Sequence, residues 1–172
     1  MKSRAAEMPE LAFRAFLRAS GLFRHKMEPH FAQFGISGAQ WGVLRAVSRA
    51  NAQGHAAIRL NDLSRRLLIK PPSVTGIVDR LERLGLVERR PAAADGRAKE
   101  VALTRAGSDL VARVLEHHPA KIRSIMSGLN AAQQRDLYKL MEHFSAHLEA
   151  AEPPVSTRVR SRTSSSLHGV PR

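Results

Sequence analysis

Cysteine is absent from this chain, which excludes a disulfide scaffold, a thiol redox switch, an iron–sulfur centre and any zinc site built on cysteine. Aromatic residues are sparse, with one Trp, one Tyr and six Phe in 172 residues. Acids are outnumbered, 15 Asp and Glu against 28 Lys and Arg, leaving a formal charge of +13. A chain this basic seeks polyanions, nucleic acid before an acidic membrane surface. No apolar segment approaches the thickness of a bilayer. The longest stretch without a charged residue or histidine, Phe31–Leu44, is too short to span and is interrupted by Gln33, Ser37 and Gln40. Glu7, Glu10, Arg14 and Arg18 leave no room for a signal-peptide core. A soluble intracellular protein with no membrane partner is expected.

Catalytic signatures are missing as well. There is no Gly-rich phosphate loop, no zinc-hydrolase signature and no Gly-x-Ser-x-Gly elbow, so neither an enzyme nor a cofactor is expected. His143 and His147 stand four apart, a spacing that can set two ligands on one metal, and His117 and His118 add two more imidazoles. No acid–histidine set of fixed spacing completes a site. These histidines read as structural, and no metal is expected.

What is present is helical periodicity, with one interruption. Phe13, Phe16, Leu17, Phe23, Met27, Phe31 and Phe34 recur at three- and four-residue steps, predicting a helix from about Glu10 to Phe34. Pro29 should kink or break it, and Gly35 should end it. Ser37 with Gln40 makes a capping box for a second helix to about Ala50, with Val43, Leu44 and Val47 inward. Ile58–Leu60 reads as an isolated strand. Asn61 is a plausible N-cap for a helix carrying Leu63, Leu67 and Leu68. Lys70–Pro71–Pro72 closes that helix and opens a fourth, with Val74, Ile77, Val78, Leu81 and Leu84 on one face and Gly85 as its stop.

After Leu86 the period becomes two. Val87, Arg89 and then Val101, Leu103 alternate on either side of Pro91–Ala98, with Asp95–Gly96 as the turn signal of a hairpin. Thr104 caps a fifth helix in which Pro119 should cause a bend. Asn130 with Gln133 repeats the capping-box spacing ahead of a sixth, carrying Leu137, Leu140, Met141, Phe144 and Leu148. Beyond Glu152–Pro153–Pro154 the chain is rich in Ser, Arg and Thr. Residues 152–172, with Arg158, Arg160 and Arg162, read as a disordered basic tail.

Two short helices followed by a hairpin form a winged helix-turn-helix, so the fold class is mainly α with a small β-hairpin wing. The second helix of such a pair enters the major groove by its first turns. Here those turns offer Ser73 and Thr75, with Lys70, Arg80 and Arg83 around them. On the wing, Arg97 stands among small residues and suits a narrow minor groove, with Asp95 to steady it. Arg89, Arg90 and Lys99 are within reach of flanking phosphates. Between Arg59 and Glu100 there are ten cations and six acids, so charge density alone does not identify this surface. The order of elements does. Arg80, Glu82 and Arg83 equally suit pairing along their own helix. Trp41 and the phenylalanines of the first helix suit an effector cavity or plain core.

The runs "PPSVTGIVDRLERLGLVER" and "DGR", followed by "VALTRAG", resemble the winged-helix core of MarR-type bacterial transcriptional regulators. "GISGAQWGVL" and "GLNAAQQRDLYKLMEHF" resemble that family's second and last helices, so the resemblance covers roughly Glu10 to Ala151. It implies a homodimer in which helical regions 10–36 and 104–151 intertwine, while residues 37–103 bind double-stranded DNA. By position, Ser73 and Thr75 fall in the reading helix, and Arg97 and Asp95 match the wing arginine and aspartate. Gly76 departs from a basic residue common in relatives. A repressor on a pseudo-palindromic operator, relieved by a small aromatic or anionic effector, is the function implied, in the bacterial cytoplasm at the nucleoid. A winged helix for non-specific DNA packaging or protein contact is the rival.

Overall fold

The computed structural model describes residues 4–92 and 95–151, with the backbone alone at 4–6, 92, 95–98 and 151. The expected basic tail lies outside the described residues. Six helices and three strands follow in the order α1 (Arg4–Ala32), α2 (Gly38–Ala52), β1 (Ile58–Arg59), α3 (Leu60–Leu67), α4 (Pro71–Arg83), β2 (Val87–Ala92), β3 (Asp95–Leu103), α5 (Arg105–Met126) and α6 (Ala131–Ala151). Elements α1 to α5 form one compact unit, Met1–Ser127, and α6 belongs to a second, Gly128–Arg172.

Four helices end in the same way. After α1, the N–H of Ile36 reaches the Phe31 carbonyl and that of Gly35 reaches Ala32, the paired bonds of a Schellman motif. The pattern recurs after α2 at Gly54 and His55, after α3 at Leu68 and Ile69, and after α4 at Gly85 and Leu86. The motif needs a left-handed residue, and glycine supplies it at Gly35, Gly54 and Gly85 with φ of +73°, +86° and +69°. After α3 it is Leu68, at φ 52°. Leu68 therefore leaves the apolar face where periodicity put it and stands 91% exposed.

Other boundaries also move. Helix α1 starts at Arg4 and runs through Pro9 and Pro29, because each proline forfeits one bond while the rest of the ladder holds. Helix α5 runs through Pro119 in the same way. Helix α3 begins at Leu60, before Asn61, with Arg59 as an N-cap that makes no side-chain bond. Leu84 is exposed because α4 ends there and the chain turns away. Both capping boxes form: Ser37 with Gln40 (3.2 and 2.8 Å) and Asn130 with Gln133 (3.0 and 2.9 Å).

The strand at Ile58 is not isolated. It is the third strand of an antiparallel sheet ordered β1-β3-β2, with Ile58 opposite Val101 and Arg59 opposite Glu100. Beneath the sheet, Val43, Leu44 and Val47 of α2, Leu63 of α3 and Val74, Val78 and Leu81 of α4 are wholly buried. Each such side chain contributes about 1.5–3 kcal/mol on leaving water. This core fixes how α3 and α4 sit against each other and against the wing.

The two ends of α1 differ. Met27 and Phe31 join the core, while Leu11, Phe13, Phe16, Leu17 and Phe23 are exposed. Helix α6 likewise exposes Leu137, Leu140, Phe144 and Leu148.

Candidate nucleic-acid interface

Helix α4 buries Val74, Ile77, Val78 and Leu81, which turns the intervening positions outward. Lys70, Ser73, Thr75, Arg80 and Arg83 are all exposed. Pro71 and Pro72 occupy the first turn and contribute no N–H, and the first N–H after them, that of Ser73, already reaches the Lys70 carbonyl at 3.0 Å. The Thr75 hydroxyl donates to the Pro71 carbonyl at 3.1 Å. Its oxygen is thereby left as an acceptor, and its methyl group is free to touch a thymine methyl. The Arg83 Nε–H bonds the Asp79 carbonyl at 3.4 Å, so that guanidinium lies along its own helix. A Cβ placed on Gly76 would come no nearer than 3.9 Å to Arg80, so packing does not require glycine there.

The wing is a longer ladder than alternation suggests. Ala92 pairs with Asp95, so Asp95 and Gly96 open β3 where a turn was expected. Pro91 faces Lys99, so between that pair and Ala92–Asp95 the register slips. Pro91 cannot donate to a ladder, and the register shifts just after it. Arg97 thus sits in an irregular stretch near the wing's end. The side chains of Asp95 and Arg97 lie outside the described residues. Lys99 is exposed.

Two arginines expected at flanking phosphates have partners inside the fold. Arg89 pairs with both Asp79 and Glu82 of α4, and its own N–H reaches Glu82 at 3.2 Å. Its side chain is only 18% exposed. Burial disfavours that charge, yet the hydrogen bond it donates to Asp79 and the charge of Glu82 outweigh it and hold the guanidinium above its ordinary range. Arg90 pairs with Glu88 two residues away and remains exposed. The sequence left Glu82 equally suited to pairing along its own helix; the structure pairs it, and Asp79, across to Arg89 of the wing.

A second feature was only half legible. A cavity of about 500 Å³ is walled by Phe23, Met27 and Phe31 of α1, Trp41 of α2, and His118 and Ile122 of α5. His30 and His118 approach to 5.5 Å between ring centroids beside it, and Trp41 lies 5.6 Å from His118. Gln33 Nε2 and His30 Nδ1 are hydrogen-bonded at 3.1 Å. The other ring nitrogen of His30, Nε2, and the Nδ1 of His118 are buried with no hydrogen-bond partner among the described residues. Burial first, and then the charges of His118, Lys121 and His117, lower the His30 pKa; burial and Arg45 lower that of His118. Among the described residues no group of three or more potential ligands is placed to hold a metal, and no helix is long and apolar enough to cross a membrane.

Known proteins share this fold. A family model described as the MarR family matches residues 34–98. The HTH-type transcriptional regulator PecS of Dickeya dadantii is 28% identical over 140 residues, covering 81% of this chain and 83% of that protein. The homoprotocatechuate degradative operon repressor of Escherichia coli is 29% identical over 132 residues, 77% of this chain and 86% of that one. Among solved structures, AbsC, a MarR family transcriptional regulator from Streptomyces coelicolor, superposes with a TM-score of 0.72 at 23% identity over 82% of this chain and 94% of that one. A mutant of MarR from Escherichia coli complexed with operator DNA gives 0.73 at 22% identity over 83% and 99%. The family model lies on the winged helix and the curated relatives extend past it over most of the chain, so this chain is similar to MarR-family regulators.

Proposed function

We propose that this protein is a sequence-specific DNA-binding transcriptional regulator that acts as a homodimer on a pseudo-palindromic operator and represses by occluding a promoter. The carrying observation is the outward face of α4, where Lys70, Ser73, Thr75 and Arg80 are exposed on a helix whose other face is locked into the core. In this reading residues 37–103 bind DNA. Ser73 and Thr75 meet base edges, Lys70, Arg80, Arg83, Arg90 and Lys99 meet phosphates, and Arg97 with Asp95 serves the minor groove. Arg89 acts one step back, by holding the wing against α4. Half-sites then sit one helical turn apart, roughly 10–10.5 bp.

Residues 10–36 and 104–151 form the dimerisation region in this reading. The exposed apolar face of α1 and that of α6 support it, since faces of this kind mark partner contacts. The basic segment 152–172 adds sequence-independent affinity. The apolar cavity beside Trp41 suits a small aromatic or anionic effector, which would shift the DNA response by binding one arrangement of the dimer better than another. A regulator rather than a catalyst, working in the cytoplasm at the nucleoid, is the role these features support together with the family.

Fluorescence anisotropy on the protein's own upstream DNA and on a scrambled duplex, across roughly 50–200 mM salt, tests the reading. The upstream duplex should keep a large advantage at the higher salt. Arg97→Ala should cost roughly 1–3 kcal/mol of operator affinity with the dimer intact. Two duplexes that fade together would favour packaging or protein contact instead.

A further inference from the structure

Ion pairing sorts the cations of the winged helix. Arg59, Arg65, Arg89 and Arg90 each meet an acid. Among the described residues, Lys70, Arg80, Arg83 and Lys99 form no ion pair, and they belong to the reading helix, its N-cap and the wing. Arg45, Arg49 and Arg66 form none either, and they belong to neither surface.

These three line one groove. Arg45 and Arg49 stand four apart on α2, Arg66 comes from α3, and Trp41, Gln53 and Leu67 help complete a concavity of about 580 Å³ with no acid in its wall. Like charges at this helical spacing repel, and a third cation beside them adds to the strain. Arg45 is half-buried, so water screens it incompletely. Its charge is felt at His118, on the far side of Trp41. The nearest acid along α3, Asp62, lies beside Arg66 but is paired with Arg65. A bound anion would neutralise the set.

We propose that this groove binds a small polyanion, a molecule bearing two or more phosphate or carboxylate groups. Guanidinium forks match such groups in bidentate fashion, and three forks around one concavity suit a compact ligand better than the extended backbone of a duplex. Trp41 walls both this groove and the apolar cavity, so occupants of the two press on the same indole. The site is independent of the DNA reading.

Pyrophosphate and citrate are suitable probes, with sodium chloride at matched ionic strength as control. Each probe should raise the melting temperature of the full chain by several degrees at millimolar concentration. It should also raise the NMR titration midpoint of His118, because the anion offsets Arg45. Both responses should vanish in the double variant Arg49→Gln, Arg66→Gln and persist in Arg80→Gln, Arg83→Gln; the single variants serve if the double variant fails to fold. A response no larger than that to chloride, or one lost through Arg80 and Arg83 instead, overturns the proposal. So does a loss of about two units of salt dependence in operator binding by the groove variant, which would assign the groove to DNA phosphates.

Discussion

The hydroxyl of Thr104 donates a 2.7 Å hydrogen bond to the carbonyl of Gly85. The same oxygen accepts from the Gly107 N–H at 3.0 Å, and the Thr104 N–H reaches the Leu86 carbonyl at 3.2 Å. One side chain thus caps α5 and ties it to the turn that leaves α4. Gly107 makes the close approach possible, since a Cβ there would lie 1.9 Å from the Leu86 oxygen. Thr104→Val should cost about 1–2 kcal/mol through the lost cap and tie. Gly107→Ala should cost about 1–3 kcal/mol by overpacking. Urea denaturation measures both, and a neutral Gly107→Ala would mean that the start of α5 yields freely.

Arg89 and Lys99 should separate by salt. Lys99 is exposed, so Lys99→Ala should reduce the salt slope of operator binding by about one. Arg89→Ala should leave the slope nearly unchanged. It should lower stability by about 1–3 kcal/mol, because Asp79 and Glu82 lose their shared donor. A slope reduced equally by both variants would return Arg89 to the phosphates.

Leu68 bears a left-handed backbone with nothing packed on its side chain. That conformation costs an L-residue about 1–2 kcal/mol, of which glycine's greater unfolded freedom takes back about 0.5–1. Leu68→Gly should therefore raise the urea midpoint, by up to about 1 kcal/mol in stability. Leu68→Val should lower it. A Leu68→Gly protein that is more stable yet binds operator worse would show that the exposed leucine contacts DNA.

Acid should weaken the junction of α1 and α5. His30 and His118 both have pKa values lowered in the fold, with the positive charges of Lys121, His117 and Arg45 adding to burial. The unfolded chain takes up protons first as pH falls below about 6.5, so stability is fully present above that value and declines beneath it. Denaturation midpoints at pH 8, 6.5 and 5 should trace the decline. His30→Gln should flatten it, and an unchanged slope in that variant would place the titration elsewhere.

Local chemistry made some of this architecture legible. Ser37 with Gln40, Asn130 with Gln133, and the glycines at 35 and 85 announce boundaries through bonds that close within a few residues. The buried face of α4 follows from its period alone. Contacts between distant segments left no such trace. Ile58 becomes a sheet strand only because Val101 arrives beside it, and Arg89 turns inward only because α4 presents two acids to β2. Leu68 defeats periodicity because a backbone motif, not a side chain, sets its direction. The arginine groove was hidden for the same reason as the sheet, since α2 and α3 contribute its cations from separate stretches of sequence.

Trp41 is the chain's single tryptophan, 7% exposed, stacked on Phe31 at 5.8 Å and near His118 at 5.6 Å. Indole emission depends on local polarity and on neighbouring imidazoles, and here it originates from one position bordering both cavities. With Tyr138 the only other phenol or indole in the sequence, an unlabelled sample excited at the red edge carries a built-in optical gauge. Filling of either cavity, or acid at His118, registers in one spectrum, and the variants that silence each cause are already defined by the walls they belong to.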